Sequence, residues 1–217
     1  MAVRAAALCL LLAHQVSPAL AQAAPITLII SEGGKETGRE EFTLTSGRGR
    51  GASGTTLTAT AKYPAAIPTT RLTALLERTP ESAIAKFQLD VEGPGGTTVI
   101  LAAGSGARLV VRTVAKGSES GRELPGGPDV VLLDDQVFSL YATVADLATP
   151  AGKRLTAIFP RTGRRVAFTA RRDPASTADT RRVLLTGDLT GTLVTDADGR
   201  LQSLELSGQN IVVTRAK

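Results

Sequence analysis

The sequence predicts a mainly β protein in which a strongly curved antiparallel sheet, a half-barrel or a barrel, wraps around one helix. Three observations predict this fold. Hydrophobic and polar residues alternate with a period of two along most of the chain, clusters of Gly, Pro, Asp and Ser interrupt the alternation, and residues 134–148 have helical spacing instead. A period of two is typical of half-buried strands, and frequent turn residues favour hairpins over helical crossovers.

The clearest strand pattern lies at residues 85–91, where Phe87 and Leu89 alternate with polar residues. Similar segments are separated by turn sequences such as Pro160-Arg161-Thr162-Gly163, in which proline and glycine favour a tight reversal. About a dozen strands are therefore expected. The segments are residues 26–30, 41–45, 56–63, 70–77, 85–91, 97–102, 108–114, 154–159, 165–170, 182–186, 189–195, 201–206 and 211–215.

The strand pattern fails in three places. Residues 116–129 and 171–180 are rich in Gly, Pro, Ser and Asp and are predicted to be loops. Residues 134–148 are predicted to form a helix, with Asp134 or Asp135 as the N-cap, because apolar residues recur there at three- and four-residue spacing. These apolar residues are Val137, Leu140, Tyr141, Val144 and Leu147, and Phe138, Ala142 and Ala145 widen the apolar surface beyond a single stripe. A helix that is apolar around most of its circumference needs cover on several sides, which a curved sheet provides.

The N-terminus has the pattern of a secretory signal peptide. Arg4 precedes an apolar run over residues 5–13, and the small residues Ala19 and Ala21 form an A-x-A cleavage site. The run is too short to span a bilayer, so we expect cleavage after residue 21 and no transmembrane span in the mature chain. The expected organisation is a signal peptide over residues 1–21 and a single β-rich domain over residues 22–217, located in the periplasm or secreted.

Cleavage would remove the residue types that most catalytic sites use. The chain has one Met, one Cys, one His and no Trp, and Met1, Cys9 and His14 all lie in the signal segment. A mature chain without His and Cys cannot use a Ser-His-Asp or Cys-His mechanism, nor a zinc site with imidazole or thiolate ligands. We therefore expect no cofactor, no metal and no enzymatic activity, although a hydrolase using carboxylates or a Ser-Lys pair remains an alternative.

Positive charge is concentrated in one predicted hairpin. If the segments 154–159 and 165–170 pair, three arginines lie at the hairpin tip and two lie at the opposite end. The three at the tip are Arg161, Arg164 and Arg165, and the two at the other end are Arg171 and Arg172. Arginine is suited to bidentate contacts with phosphate or carboxylate groups, so these five residues are the candidate anion-binding residues. Nucleic acid is disfavoured by the expected compartment and by the scarcity of aromatic residues for base stacking.

The run of hairpins around a D-D-x-x-F-x-x-Y helix (Asp134, Asp135, Phe138 and Tyr141) resembles uncharacterised bacterial exported proteins built as a half-barrel around a helix. That architecture is similar to periplasmic lipoprotein carriers and to lipid-binding lipoproteins. The resemblance implies a lipid-like ligand beside the helix, and adds Phe138 and Tyr141 to the candidate ligand-binding residues.

These observations together favour binding over catalysis. The leading hypothesis is a non-catalytic envelope protein that binds a lipid-like or anionic ligand, or docks on a membrane-associated protein, through the arginine-rich hairpin. An alternative is a structural accessory subunit of an envelope complex, which would use the sheet surface or an edge strand as its interface. An open apolar cavity beside the helix would favour carriage of a ligand, and a filled interior would favour an interaction role.

Overall fold

The computed structural model describes residues 24–47 and 54–217, so the signal peptide predicted at residues 1–21 lies outside the described residues. Fifteen strands within them form one sheet. The strands of the N-terminal half are β1 Ile26–Glu32, β2 Lys35–Ser46, β3 Thr55–Tyr63, β4 Thr70–Arg78, β5 Ile84–Gly93, β6 Gly96–Ser105, β7 Arg108–Ala115 and β8 Ser118–Pro125. Those of the C-terminal half are β9 Val130–Leu132, β10 Lys153–Phe159, β11 Arg164–Arg172, β12 Thr180–Gly187, β13 Gly191–Asp196, β14 Leu201–Leu206 and β15 Ile211–Arg215.

The sheet is nearly closed into a barrel. Its strand order runs from β8 down to β1, then from β15 down to β9, so β1 and β15 lie side by side in the middle of the sheet. Every pairing is antiparallel except that of β9 with β10. The two edges are β8 and β9, which come from the middle of the chain. The prediction of a mainly β, antiparallel and barrel-like fold is thereby confirmed.

The loop prediction for residues 116–129 is wrong, because β8 lies within it and pairs along its whole length with β7. The strand was not recognised because the sequence Ser118–Pro125 is polar on both faces, and all its residues except Leu124 are exposed. An edge strand that covers little of the core needs no alternating pattern. The three-residue strand β9 was also missed, since a short strand has too few residues to show a period.

The helical segment is shorter than its apolar spacing predicts. A 3₁₀ helix covers Phe138–Tyr141, and α1 follows at Ala142–Leu147. The prediction of an aspartate N-cap is wrong, because Val137 stands at that position and no side chain caps the helix locally. Asp134 instead closes a turn before the helix, where its Oδ1 accepts a hydrogen bond from the Gln136 backbone N–H at 2.8 Å. Residues 134–148 are called the plug segment below.

The plug segment fills the concave side of the sheet. Helix α1 contacts β11, β12 and β13, and the 3₁₀ helix contacts β2 and β14. The plug side chains and the inward residues of the strands form one hydrophobic cluster. Phe138 is 1% exposed and Tyr141 is 0% exposed, with their ring centroids 6.1 Å apart. Exposures this low leave no room for a water-sized molecule beside either ring, so the interior around them is filled by side chains.

Helices in the described part of the chain are all too short and insufficiently apolar to cross a membrane.

Replacing Tyr141 by Ala should lower the free energy of unfolding by about 3–5 kcal/mol, because the ring leaves a cavity in a packed core. Tyr141→Phe is the matched control. The Tyr141 hydroxyl is buried and has no hydrogen-bond partner among the described residues, so its removal should change the free energy of unfolding by less than about 1 kcal/mol. Urea unfolding of both variants checks this. A loss below about 1 kcal/mol for Tyr141→Ala would show that the plug does not support the core.

Candidate functional site

The plug segment is attached to the sheet by a carboxylate from β2. Alternation along β2 directs Gly38, Glu40 and Phe42 inward. Glu40 Oε2 accepts a hydrogen bond from the Phe138 backbone N–H at 2.7 Å, and Oε1 accepts one from the Ser139 N–H at 3.0 Å. The first N–H groups of a helix have no partner within it. Glu40 therefore takes the role of an N-cap from a strand about 100 residues earlier in the chain.

Glu40 has no cation in contact with it among the described residues, and its side chain is fully buried. Burial raises the pKa of the Glu40 carboxyl to about 7, although the backbone N–H groups of Phe138 and Ser139 oppose the rise. The negative charge of Asp134 raises it further. The carboxyl therefore changes its protonation state near neutral pH, inside the core and in contact with the plug.

Tyr63 holds the same end of the plug segment from β3. Its hydroxyl donates a hydrogen bond to the Gln136 carbonyl at 2.9 Å. The ring lies directly over Gly38, where a Cβ atom would come within 2.1 Å of the Tyr63 Cε1 atom, so only glycine fits at that position. Burial raises the pKa of the Tyr63 phenol, and the nearby Glu40 adds to the effect. The hydroxyl thus remains a hydrogen-bond donor throughout the physiological pH range.

Arg161, in the turn between β10 and β11, binds the start of the plug segment through three hydrogen bonds. Nε and Nη2 donate to the two carboxylate oxygens of Asp134 at 2.7 and 2.9 Å, and Nη1 donates to Gln136 Oε1 at 2.9 Å. Burial raises the pKa of Asp134, and the Arg161 guanidinium opposes that rise. An anionic ligand at Arg161 would have to displace the carboxylate of Asp134 from a bidentate pair.

The tip of the β10–β11 hairpin, beside the Arg161–Asp134 pair, also bridges the gap between the two edges of the sheet. Arg164 Nη2 lies 2.6 Å from Asp135 Oδ1, and the Arg164 guanidinium stacks over the Phe159 ring at 3.6 Å from its centroid. Arg122, on the edge strand β8, reaches across and donates to the Pro160 carbonyl at 2.6 Å. The edge strand, the hairpin tip and the plug segment are therefore joined by arginine side chains at one end of the sheet.

A second group of arginines lies on the outer face of the same hairpin. Buried Phe168 and Ala170 define the inward face of β11, so Arg165 and Arg171 point outward. Arg154 of β10 is opposite Thr169, one outward position from Arg171. Arg154, Arg165 and Arg171 are called the basic face below. All three are exposed, and within residues 24–47 and 54–217 none of them has an acidic partner.

The predicted hairpin is confirmed, since Lys153 pairs with Ala170 and Phe159 with Arg164 at its two ends. The candidate residues do not converge on one site, however. Arg161 and Arg164 are bound to aspartates, and Arg172 donates to the Ala148 carbonyl at 3.3 Å. Arg165 and Arg171 belong to the basic face, while Phe138 and Tyr141 lie in the core. Ligand binding by any of these residues stays a prediction.

Sequence reasoning missed two buried charges that hold the plug segment. Neither Glu40 nor Arg78 is among the candidate residues that the sequence predicts. Arg78 is 4% exposed, donates to the Ser82 carbonyl at 2.9 Å and lies 3.4 Å from Asp146 of α1. Burial lowers the pKa of Arg78, and Asp146 counters that effect. Strand alternation was the available signal, since Arg78 follows the inward Leu72, Ala74 and Leu76 at two-residue steps.

The fold is similar to that of a solved protein of unknown function. A DUF1089 family protein from Pseudomonas aeruginosa superposes with a TM-score of 0.51 at 13% identity, over 78% of this chain and 90% of that one. A β-barrel-like DUF1849 protein from Brucella abortus gives a TM-score of 0.45 at 11% identity, over 91% of this chain and 98% of that one. No protein-family model matches the sequence, and no curated protein matches it either. At such identities the likeness to the Pseudomonas protein concerns the fold alone.

Replacing Arg161 by Ala should lower the free energy of unfolding by about 3 kcal/mol, because the buried Asp134 carboxylate loses its cation. The double variant Arg161→Ala/Asp134→Asn should lose less than the sum of the two single variants, since no charge is then left unpaired. Arg165→Ala is the control from the outer face and should stay within about 0.5 kcal/mol of the wild type. Chemical denaturation gives the free energy of unfolding of the two single variants, the double variant and Arg165→Ala. Equal losses at Arg161 and Arg165 would contradict the assigned role of Arg161.

Stability should fall as the pH rises toward neutrality. The Glu40 pKa is about 7 in the folded chain against an ordinary value of 4.5, so between these pH values the folded chain holds a proton that the unfolded chain has released. The contribution is complete below pH 4.5 and is lost as the pH passes through 7. Its size is about 3 kcal/mol.

Glu40→Gln removes this titration and leaves those of Asp134 and Asp146 in place. The free energy of unfolding, measured from pH 4.5 to 8, should therefore fall less steeply in the variant than in the wild type. The comparison uses the slopes, because a glutamine amide accepts only one of the two N–H bonds and lowers stability at every pH. Identical slopes would rule out Glu40 as the titrating group.

Proposed function

We propose that this chain is a non-catalytic protein of the bacterial envelope that docks on anionic lipid surfaces through its basic face. The single observation that carries the proposal is that the arginines of the β10–β11 hairpin fall into two groups, on opposite faces of the sheet. Those that point inward are bound to aspartates or to backbone carbonyls, whereas Arg154, Arg165 and Arg171 point outward and are exposed. Three guanidinium groups on one side of a hairpin, each without an acidic partner in the part of the chain that the structure describes, form a positive surface that attracts phosphate groups.

The geometry of the hairpin suits a flat anionic surface. Arg165 and Arg171 are six residues apart on β11, which corresponds to roughly 20 Å along an extended strand. Arg154 lies on the neighbouring strand close to Arg171. Contacts spread over this distance favour several headgroups over one small ligand. Thr156, Ala167 and Thr169 occupy the outward positions between the arginines, and the Asp188 carboxylate beside them accepts a hydrogen bond from the Ala167 N–H at 3.3 Å.

The filled interior supports docking over carriage. A carrier of lipid acyl chains needs an apolar cavity beside the helix, whereas Phe138 and Tyr141 are fully packed. The headgroup, and not the acyl chain, is therefore the part of the lipid that this fold would contact. Export by the predicted signal peptide would bring the chain to the membrane surfaces of the envelope, where phosphate-bearing lipids are available.

Co-sedimentation with lipid vesicles tests the proposal. The protein should sediment with vesicles containing about 30% phosphatidylglycerol at low salt and should be released at high salt, because screening weakens surface electrostatics. It should stay in solution with pure phosphatidylcholine vesicles. The variant Arg154→Gln/Arg165→Gln/Arg171→Gln should bind roughly a hundredfold more weakly, since each basic residue near an anionic surface contributes about 1 kcal/mol.

The matched control is Lys62→Gln/Arg71→Gln/Lys86→Gln, which removes the same charge from exposed positions in β3, β4 and β5. It should bind anionic vesicles about as well as the wild type. Equal loss of binding in both triple variants would mean that net charge alone is responsible, and would contradict a specific basic face. Absence of wild-type binding at low salt would remove the proposal altogether.

A further inference from the structure

A different surface, on the opposite half of the sheet, combines exposed apolar side chains with charges of both signs. Four outward residues of β7 and three of β8 form it, and it is called the β7–β8 face below. Its members are Arg108, Val110, Arg112, Val114, Glu119, Gly121 and Glu123. Among the described residues, Val110 and Val114 are two of the four large hydrophobic side chains that are exposed, at 46% and 37%. A surface groove of about 410 Å³ adjoins the face and includes Val110 and Arg112 in its lining.

The charges of this face are sorted by strand. The two arginines lie on β7 and the two glutamates on β8, and they pair across the strands. Arg112 Nε donates to Glu119 at 3.0 Å, and Arg108 Nε lies 3.4 Å from Glu123. All four side chains are more than half exposed, so each pair keeps most of its hydration and is open to further contacts. The face carries no net charge and does not attract an anionic membrane.

We propose that the β7–β8 face binds a second copy of this chain through an isologous interface. A two-fold axis requires a patch that is complementary to itself. The row of arginines on β7 and the adjacent row of glutamates on β8 meet that requirement. A two-fold axis that runs parallel to these strands and midway between them places β7 of each copy over β8 of the other. In that arrangement Arg112 of one copy lies between Glu119 and Glu123 of the second, and Val110 and Val114 are covered by the aliphatic parts of those glutamates and removed from water.

The register adds a specific fit. Gly121 is directly opposite Arg112 and lies between Glu119 and Glu123 on the outer side of β8. A Cβ atom at Gly121 would meet no atom closer than 4.0 Å, so the absence of a side chain leaves open space there. In the rotated pair, Arg112 of the second copy lies over Gly121, within reach of both glutamates. Gly121 thus leaves the outer surface of β8 flat at the position that Arg112 of the second copy would occupy.

Sedimentation equilibrium of the full mature chain, over about 5–200 µM, tests the interface. The wild type should dimerise, and Arg108→Glu/Arg112→Glu or Glu119→Arg/Glu123→Arg should each weaken self-association at least about tenfold, because each makes the face carry one sign of charge. Mixing the two variants in equal amounts should restore a heterodimer. Glu41→Arg/Glu81→Arg, which reverses two exposed carboxylates elsewhere, should dimerise like the wild type.

Gly121→Phe provides a second test that leaves the charges unchanged. It fills the space for the second copy's Arg112, and the open surroundings of Gly121 let the monomer fold normally, which circular dichroism checks. This variant should also be at least about tenfold weaker in self-association. A wild type that stays monomeric up to about 200 µM overturns the proposal. So does a mixture of the charge variants that forms no heterodimer, or a Gly121→Phe variant that dimerises normally.

Discussion

The two hydrogen bonds from the Phe138 and Ser139 N–H groups to the Glu40 carboxyl determine where the plug segment enters the sheet. A curved sheet of fifteen strands has a wide concave face, and that apolar face must be covered to be stable. The plug covers it, but its short helix begins without a local cap. Glu40 supplies the cap from β2. The position of the helix, the packing of the core and the end of the hairpin at Arg161 all depend on this contact.

The buried polar groups explain why the hairpin arginines have two different roles. Arg161 and Arg164 balance the aspartates that precede the helix, and Arg78 balances Asp146 within it. Asp134 and Arg78 are buried, so removing Arg161 or Asp146 leaves a charge in a poorly hydrated place, and these two pairs are needed by the fold. Strand alternation directs Arg165 and Arg171 to the other side, where neither has an acidic partner within residues 24–47 and 54–217. The same arginine-rich hairpin thus supplies both ion pairs that hold the plug segment and a positively charged outer surface.

Much of the fold could be predicted from the sequence, because strand alternation and turn residues are local signals. The hairpin of β10 and β11 and the presence of a helical segment near residue 138 were obtained in this way. The edge strand β8 was not, since a strand that covers little of the core shows no apolar period. The cap of the helix was not predictable locally either, because Glu40 is about 100 residues distant. An arginine forms an ion pair only if an acidic residue lies on the same face of the sheet, and this depends on the three-dimensional arrangement of the strands. Arg161 lies in a turn, where strand alternation does not predict the direction of its side chain.

The role of Glu40 in holding the plug is tested most directly by amide hydrogen exchange, followed residue by residue with NMR. The Phe138 and Ser139 amides lie at the start of a helix, where N–H groups without partners exchange rapidly. If Glu40 caps them inside the core, they should exchange as slowly as the central amides of β10 and β11. In Glu40→Gln, whose side chain accepts only one of the two hydrogen bonds, at least one of these amides should exchange much faster than the strand amides. Rapid exchange of both amides in the wild type would contradict the proposed attachment of the plug to the sheet.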